Sequence, residues 1–346
     1  MRNNLILVFF LSILFNTKAK AQALKLKLTE HNANVESAVY SPNGKYLATG
    51  GWDGLVHLYT IDSFGNPKFQ QSFAGHLGAI NSLWFSKNSK TIVSCGKDFS
   101  ARIWNIDTPE LTKTFNNNSE SVRNAFLDQS GRYIITCSTD GTIKSTNIYD
   151  IKKSKTVTVG KPLNDVLMSN DKKFYYAAKG SNILKINIIT GKTEAELIGH
   201  KDEVNAIDLS ADGKTLVSGS SDKTIKTWDL ATLKEIKQYI GFEWKVTSVE
   251  YSVDGKYIVG GCNTGETKLF DTETGKEIAS FKELGKNVKD VAFSPDAKHL
   301  AIATSMEVEK FGALIYTTGV AIAPPPAPVK KAVPTPKTTK TALPKK

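Results

Sequence analysis

The chain has 346 residues, of which 40% are apolar, 23% charged and 9% aromatic; this is enough apolar material for a large core and argues against wholesale disorder or a fibrous repeat. The formal net charge of +11 suggests a nucleic-acid partner only until it is placed along the chain: residues 1–22 hold three cations and residues 321–346 six, neither with an acid, leaving 36 cations against 34 acids between them. The near-neutral middle argues against nucleic acid, and its length calls for two domains or one closed repeat architecture.

At the N-terminus, Arg2 precedes an apolar run from Leu5 to Phe15 broken only by Ser12, followed by Ala19-Lys20-Ala21. This is the charge, apolar and small-residue order of a secretory signal peptide, with cleavage expected after Ala21. Eleven residues in a helix span about 16 Å, half the hydrocarbon core, so a permanent membrane span is not expected. The sequence therefore predicts an exported chain, periplasmic or secreted, that is not transmembrane. Cys95, Cys137 and Cys262 are odd in number and fit no zinc spacing. They read as small buried residues.

From residue 29 the chain repeats itself. Tyr40-Ser41-Pro42-Asn43-Gly44 recurs in altered form at Phe85-Ser86, Leu127, Met168-Ser169, Leu209-Ser210, Tyr251-Ser252 and Phe293-Ser294, seven units with a period of 41–45 residues. Four of the seven carry Asn-Gly, Ser-Gly or Asp-Gly in the turn, a hairpin signal. Each unit offers short runs of apolar alternation and no long 3.6-residue period. Four antiparallel strands per unit, seven times over, predict an all-β seven-bladed propeller. The units fall at about 29–70, 71–115, 116–159, 160–196, 197–240, 241–281 and 282–320, within a domain of 22–320. The seventh lacks a fourth strand before the prolines. Residues 23–29, which alternate apolar and charged, are expected to supply it and clasp the two ends of the chain.

Gly75-His76 with Trp104-Asn105, and Gly199-His200 with Trp228-Asp229, make the chain resemble the WD-repeat β-propellers over residues 24–320. The resemblance implies a buried hydrogen-bonded set of His, Ser or Thr, turn Asp and strand Trp in a blade. His200, Ser218, Asp222 and Trp228 match it in full, as do His76, Ser94, Asp98 and Trp104. His31, Thr49 and Asp53 match with Tyr59 in place of Trp. In all three the His precedes the Asp by 22 residues and the aromatic follows it by six. A turn carboxylate must accept hydrogen bonds to be buried, so these residues are expected to be structural rather than catalytic. The other units depart from the pattern: the third has Asn118 and Thr146 at the His and Trp positions, the fourth has Ser181 for Asp, and the sixth has Phe242 and Thr264.

WD-repeat relatives mostly act as rigid platforms for partner proteins, so the resemblance implies a non-catalytic, monomeric scaffold with no cofactor. On the face it implies for partners, exposed Trp and basic residues are the natural anchors: Trp52, Arg123, Trp244, Lys245 and Lys289, with Phe242 entering the same face. The competing expectation is a metal or small ligand in the central channel, where Glu36, Asn81, Asn164 and Asn205 fall at equivalent positions. One carboxylate is a weak set for a divalent ion, and Arg123 and Lys289 oppose it. Residues 321–346, with seven prolines and six lysines, read as a disordered polyproline II-like tail able to contact an anionic envelope surface. The export signal makes the chain resemble a bacterial, envelope-associated member of the family, its partner protein unidentified by sequence.

Overall fold

The computed structural model describes residues 24–108, 110–282, 287–305 and 312–320. The expected signal peptide and Pro/Lys tail lie outside them, as do the extra residues of the seventh unit around Met306. Among the described residues there are seven antiparallel sheets of four strands and no helices. In six sheets the strands run in chain order from the centre outwards, and in the last the outermost strand comes from the start of the chain. The inner strands are Val35–Tyr40, Ile80–Phe85, Val122–Leu127, Leu163–Met168, Val204–Leu209, Val246–Tyr251 and Asn287–Phe293. Each neighbours the next, and the last meets the first. The fold is a seven-bladed β-propeller.

The core is divided into wedges between adjacent blades. Val259, Leu269 and Phe281 of blade 6 pack on Val291, Leu300 and Ile302 of blade 7, for example. The second strand of a blade faces a neighbour on both sides, so it is buried almost throughout, as in Tyr46–Gly51 or Tyr257–Cys262. The outer strand is solvated and anchored by few residues, such as Phe73, Phe115, Leu197 and Tyr239. The three cysteines are free and buried in the second strands.

The turn between the first two strands is built by the recurring Ser-x-Asp/Asn. Ser252 Oγ donates to Asp254 (2.7 Å) and accepts from the Tyr257 N–H (2.9 Å); Ser210, Ser294 and Ser169 repeat the bond to Asp212, Asp296 and Asp171. The residue after that Asp or Asn turns with positive φ in every blade, and in blade 3 Gly131 takes the place. It is glycine in four blades, and Ser89, Lys172 and Ala297 (φ 58°, 61° and 45°) in the others. A side chain there costs about 1–2 kcal/mol, against roughly 0.5–1 kcal/mol of extra chain entropy for glycine. Lys172→Gly, at an exposed position, is therefore expected to stabilise the chain by about 0.5–1 kcal/mol, measured by urea unfolding; a lower midpoint would show that the lysine carries contacts of its own.

The ring is closed as the sequence predicts. Leu24–Lys27 pairs antiparallel with Gly312–Thr317 as the outer strand of the last blade. Its alternation is not used as a buried face, however. A bulge between Leu24 and Leu26 leaves both leucines exposed (48% and 37%), and only Leu28 is buried. The backbone ladder, the Leu28 N–H to Ala313 O bond (2.9 Å) and the contact of Lys25 Nζ with His299 Nε2 (3.0 Å) hold the seam.

Candidate functional site

The inner strands define the axis. In six the register shifts between residues one and three of the strand (Val35/Ser37, for example), and in the last, which begins one residue earlier, between two and four (Val288/Asp290). A bulge re-aims the side chain it carries. Here it brings Glu36, Asn81, Arg123, Asn164, Asn205, Thr247 and Lys289 to the lining of one axial cavity.

These residues tie the blades to one another. Asn81 Nδ2 donates to Val122 O (2.7 Å), Asn164 Nδ2 to Val204 O (2.9 Å), Asn205 Nδ2 to Val246 O (2.7 Å), and Thr247 Oγ1 to Val288 O (2.7 Å). In each case the acceptor belongs to the next blade. An inner strand leaves one edge of its backbone unpaired, and these side chains satisfy it. Glu36 accepts from the indole N–H of Trp52 and pairs with Lys289 Nζ (3.4 Å). The oxygen set that the sequence suggested for calcium is thus oriented by inter-blade bonds and by a cation.

Deeper in the channel the structure assembles four carboxylates that the sequence reading overlooked when it counted one. Asp290 accepts from Ser37 Oγ (2.9 Å) and the Ala38 N–H (3.2 Å) of blade 1, and from Ser248 Oγ (2.9 Å) of blade 6. Asp165 accepts from Asn124 Nδ2 (2.6 Å) and the Ile207 N–H (3.0 Å), so it bridges blades 3 and 5. Asp208 accepts from the Tyr251 N–H (2.8 Å), and Glu250 from the Phe293 N–H. Burial pushes Asp165 up to about 6 and Asp208 up to about 7. Asp290 is raised by burial, and Glu250 by burial and then by Asp208. The signal that could have found them was an acidic residue inside the inner strand, at its third, fourth or fifth place.

The expected partner face divides into two. Trp52 is 46% exposed, with its indole on Glu36 and Lys97 Nζ 4.4 Å from its ring centroid. Through Glu36 it connects to half-buried Lys289. Trp244 is 52% exposed, with Lys223 Nζ 5.2 Å from its ring; Lys245 beside it is exposed, as is Arg123 at the channel. No direct contact joins the two tryptophans among the described residues. Phe242 does not reach this face. It is buried against Phe270 (ring centroids 6.0 Å), because the histidine position that it occupies lies under the loop between blades.

The hydrogen-bonded sets sit at the outer turns. His76 Nδ1 meets Asp98 (2.9 Å), Ser94 Oγ lies 2.7 Å from Nε2, and the Trp104 indole N–H donates to Ser94 Oγ (2.7 Å). His200 meets Asp222 (2.7 Å) and Ser218 (2.8 Å), and Trp228 donates to Ser218 (2.8 Å). Burial raises the Asp98 carboxyl, but bonds from His76 and Ser100 outweigh it and hold the group well below the usual range. Blade 1 is different. His31 meets Asp53 (2.9 Å) and Thr49 (2.8 Å), but the Tyr59 hydroxyl donates to Glu30 (2.9 Å) rather than standing in for the indole. A phenol carries its donor at the tip of the ring, so its proton goes to the Glu30 carboxylate while its oxygen stays within reach of Thr49. In blade 3, Thr136 donates to Asn118 (3.3 Å) and Asn117 to Thr146 (2.9 Å).

The family model of the WD domain, G-beta repeat, matches residues 22–60, 67–105, 109–145 and 191–229, segments that end on the third strands of blades 1, 2, 3 and 5. Over those four segments the chain is similar to the WD-repeat proteins. It is 26% identical over 230 residues to WD repeat-containing protein AAC3 of Dictyostelium discoideum, covering 58% of this chain and 47% of that one. It is 28% identical over 203 residues to actin-interacting protein 1 of Drosophila melanogaster (53% and 31%) and 27% over 226 residues to protein hir1 of Schizosaccharomyces pombe (57% and 24%). The chain spans less than half the length of these relatives. No helix among the described residues is long and apolar enough to cross a membrane.

Proposed function

We propose that the chain is an exported, non-catalytic scaffold of a bacterial cell envelope, which binds one or more partner proteins on the face bearing Trp52 and Trp244. The observation that carries this reading is the Trp52 cluster. A large aromatic half open to solvent, buttressed by Glu36 and Lys97 and continuous with Lys289, is a preorganised anchor of the kind that dominates interface energy. Catalysis finds little support in the channel, where the carboxylates serve backbone N–H groups and the asparagines serve carbonyls. The signal-like segment before Gln22 supports export, and the lysines of the tail supply charge for an anionic envelope surface.

Trp52→Ala removes the anchor without touching a buried residue. Affinity capture from the envelope fraction with the wild-type chain should retain a partner that Trp52→Ala loses by at least tenfold, about 1.4 kcal/mol or more. Identical retained proteins would remove Trp52 from the interface.

A further inference from the structure

Blade 1 departs from blades 2 and 5 at several positions around one point. The third-strand residue that is Arg102 in blade 2 and Lys226 in blade 5 is His57 in blade 1. In blades 2 and 5 a hydroxyl two residues after the turn aspartate donates to it: Ser100 to Asp98 (2.8 Å) and Thr224 to Asp222 (2.7 Å). Blade 1 has Leu55 there, which offers Asp53 only its backbone N–H (3.1 Å), so the carboxylate keeps acceptor capacity. The indole that donates to the serine in the other two blades is absent as well, and Thr49 Oγ1 lies 2.8 Å from His31 Nε2, placed to accept its hydrogen bond.

The imidazole of His57 is 3% exposed. Its Nδ1 is engaged by Ser72 Oγ (2.8 Å), and its Nε2 is buried with no hydrogen-bond partner. With Nδ1–H donating to Ser72, Nε2 is a buried acceptor without a partner, which costs about 1–3 kcal/mol. It stands against His31, ring centroids 4.1 Å apart. One ligand atom each from His31, Asp53 and His57 lie within 4.8 Å of one another.

The geometry points to a divalent zinc site formed by His31, Asp53 and His57. Two imidazoles and a carboxylate are a borderline donor set suited to Zn2+, with water completing four-coordination. Tetrahedral zinc holds its ligand atoms roughly 3.3 Å apart, so side-chain rotations of about 1 Å close the set. His31 binds through Nδ1 as the neutral Nε2–H tautomer, whose single N–H donates to Thr49 Oγ1 and so fixes which nitrogen is left for the metal. Ser72 orients His57 in the same way. The ion ties the entry loop, the second turn and the third strand of blade 1 together, next to the seam where the ring closes. In blade 2 the guanidinium of Arg102 lies 3.6 Å from Asp98 and would repel a metal; Lys226 in blade 5 is likewise a cation.

The test uses the full chain, metal-stripped and titrated with ZnCl2 by calorimetry and elemental analysis. One Zn2+ per chain is expected, with a raised melting temperature. His57→Lys installs the residue that blade 5 carries. It should melt like the metal-free wild type and bind Zn2+ roughly 100-fold more weakly or worse. His299→Gln, at the other partly exposed histidine, should bind as wild type does. No saturable uptake, undiminished binding by His57→Lys, or loss in His299→Gln would each overturn the site. Co2+ bound to the wild type gives a reading independent of any variant: intense four-coordinate visible bands are expected, and a pale six-coordinate spectrum would refute the assignment.

Discussion

Gly312→Ala should lower the stability of the propeller by about 3 kcal/mol or more, because it sets a methyl group against backbone. A Cβ at Gly312 would stand 1.5 Å from Leu28 O and 2.7 Å from Leu28 C. No rotamer relieves a clash with a carbonyl. The strand from the other end of the chain must lift, which breaks the Leu28 N–H to Ala313 O bond and exposes Leu28. The bond contributes about 1 kcal/mol and the buried leucine about 2 kcal/mol. Deleting residues 24–28 should cost a similar amount, and adding Gly312→Ala to that deletion should cost little more, since both remove the same clasp. Thermal or urea unfolding of the three variants decides it; unchanged melting in either single variant would show that the ring does not depend on its seam.

The second large effect concerns pH. Burial raises Asp165 to about 6 and Asp208 to about 7, and raises Asp290 and Glu250 too, against ordinary values near 4 in the unfolded chain. The folded protein then holds protons that the unfolded chain has lost, so these groups favour folding fully at low pH and cease to do so as pH rises through their folded values. Buried His57 and His200 and partly exposed His299 are lowered, chiefly by desolvation, and act in the opposite sense, their destabilising effect ending near pH 6.5. Above that point only the channel carboxylates remain. Below about pH 4 the turn aspartates Asp53, Asp98 and Asp222, held low by hydrogen bonds that outweigh burial, withdraw their support. Stability should therefore decline from about pH 6.5 to pH 8. Asp208→Asn, which carries no charge at any pH, should melt below the wild type at pH 5 and draw level with it or pass it at pH 8. A wild-type melting temperature that is flat or rising over pH 6.5–8 would refute the argument.

The seven units, their strand order and the clasp were legible from residue pattern because each depends on local chemistry. The Ser-x-Asp/Asn turn closes within five residues, and the His-to-Asp spacing of 22 residues returns in every blade that keeps the set. Phe242 and Tyr59 were harder. Pattern places a residue at a position in a blade, but whether its ring turns inwards or its hydroxyl donates to a nearby glutamate depends on neighbouring loops. The channel was the least legible part. Asp165, Asp208, Glu250 and Asp290 lie 40 to 43 residues apart from one blade to the next, and only ring closure brings their charges into one cavity.

The sequence by itself determined the number of blades, the turns that fold them and the segment that closes the ring, since turn chemistry and strand period act over a few residues. Tertiary structure alone decided which polar groups meet on the axis and that His57 and Asp53 share one pocket with His31. Those meetings depend on a bulge repeated seven times and on the packing of one sheet against the next, distances that no spacing along the chain encodes.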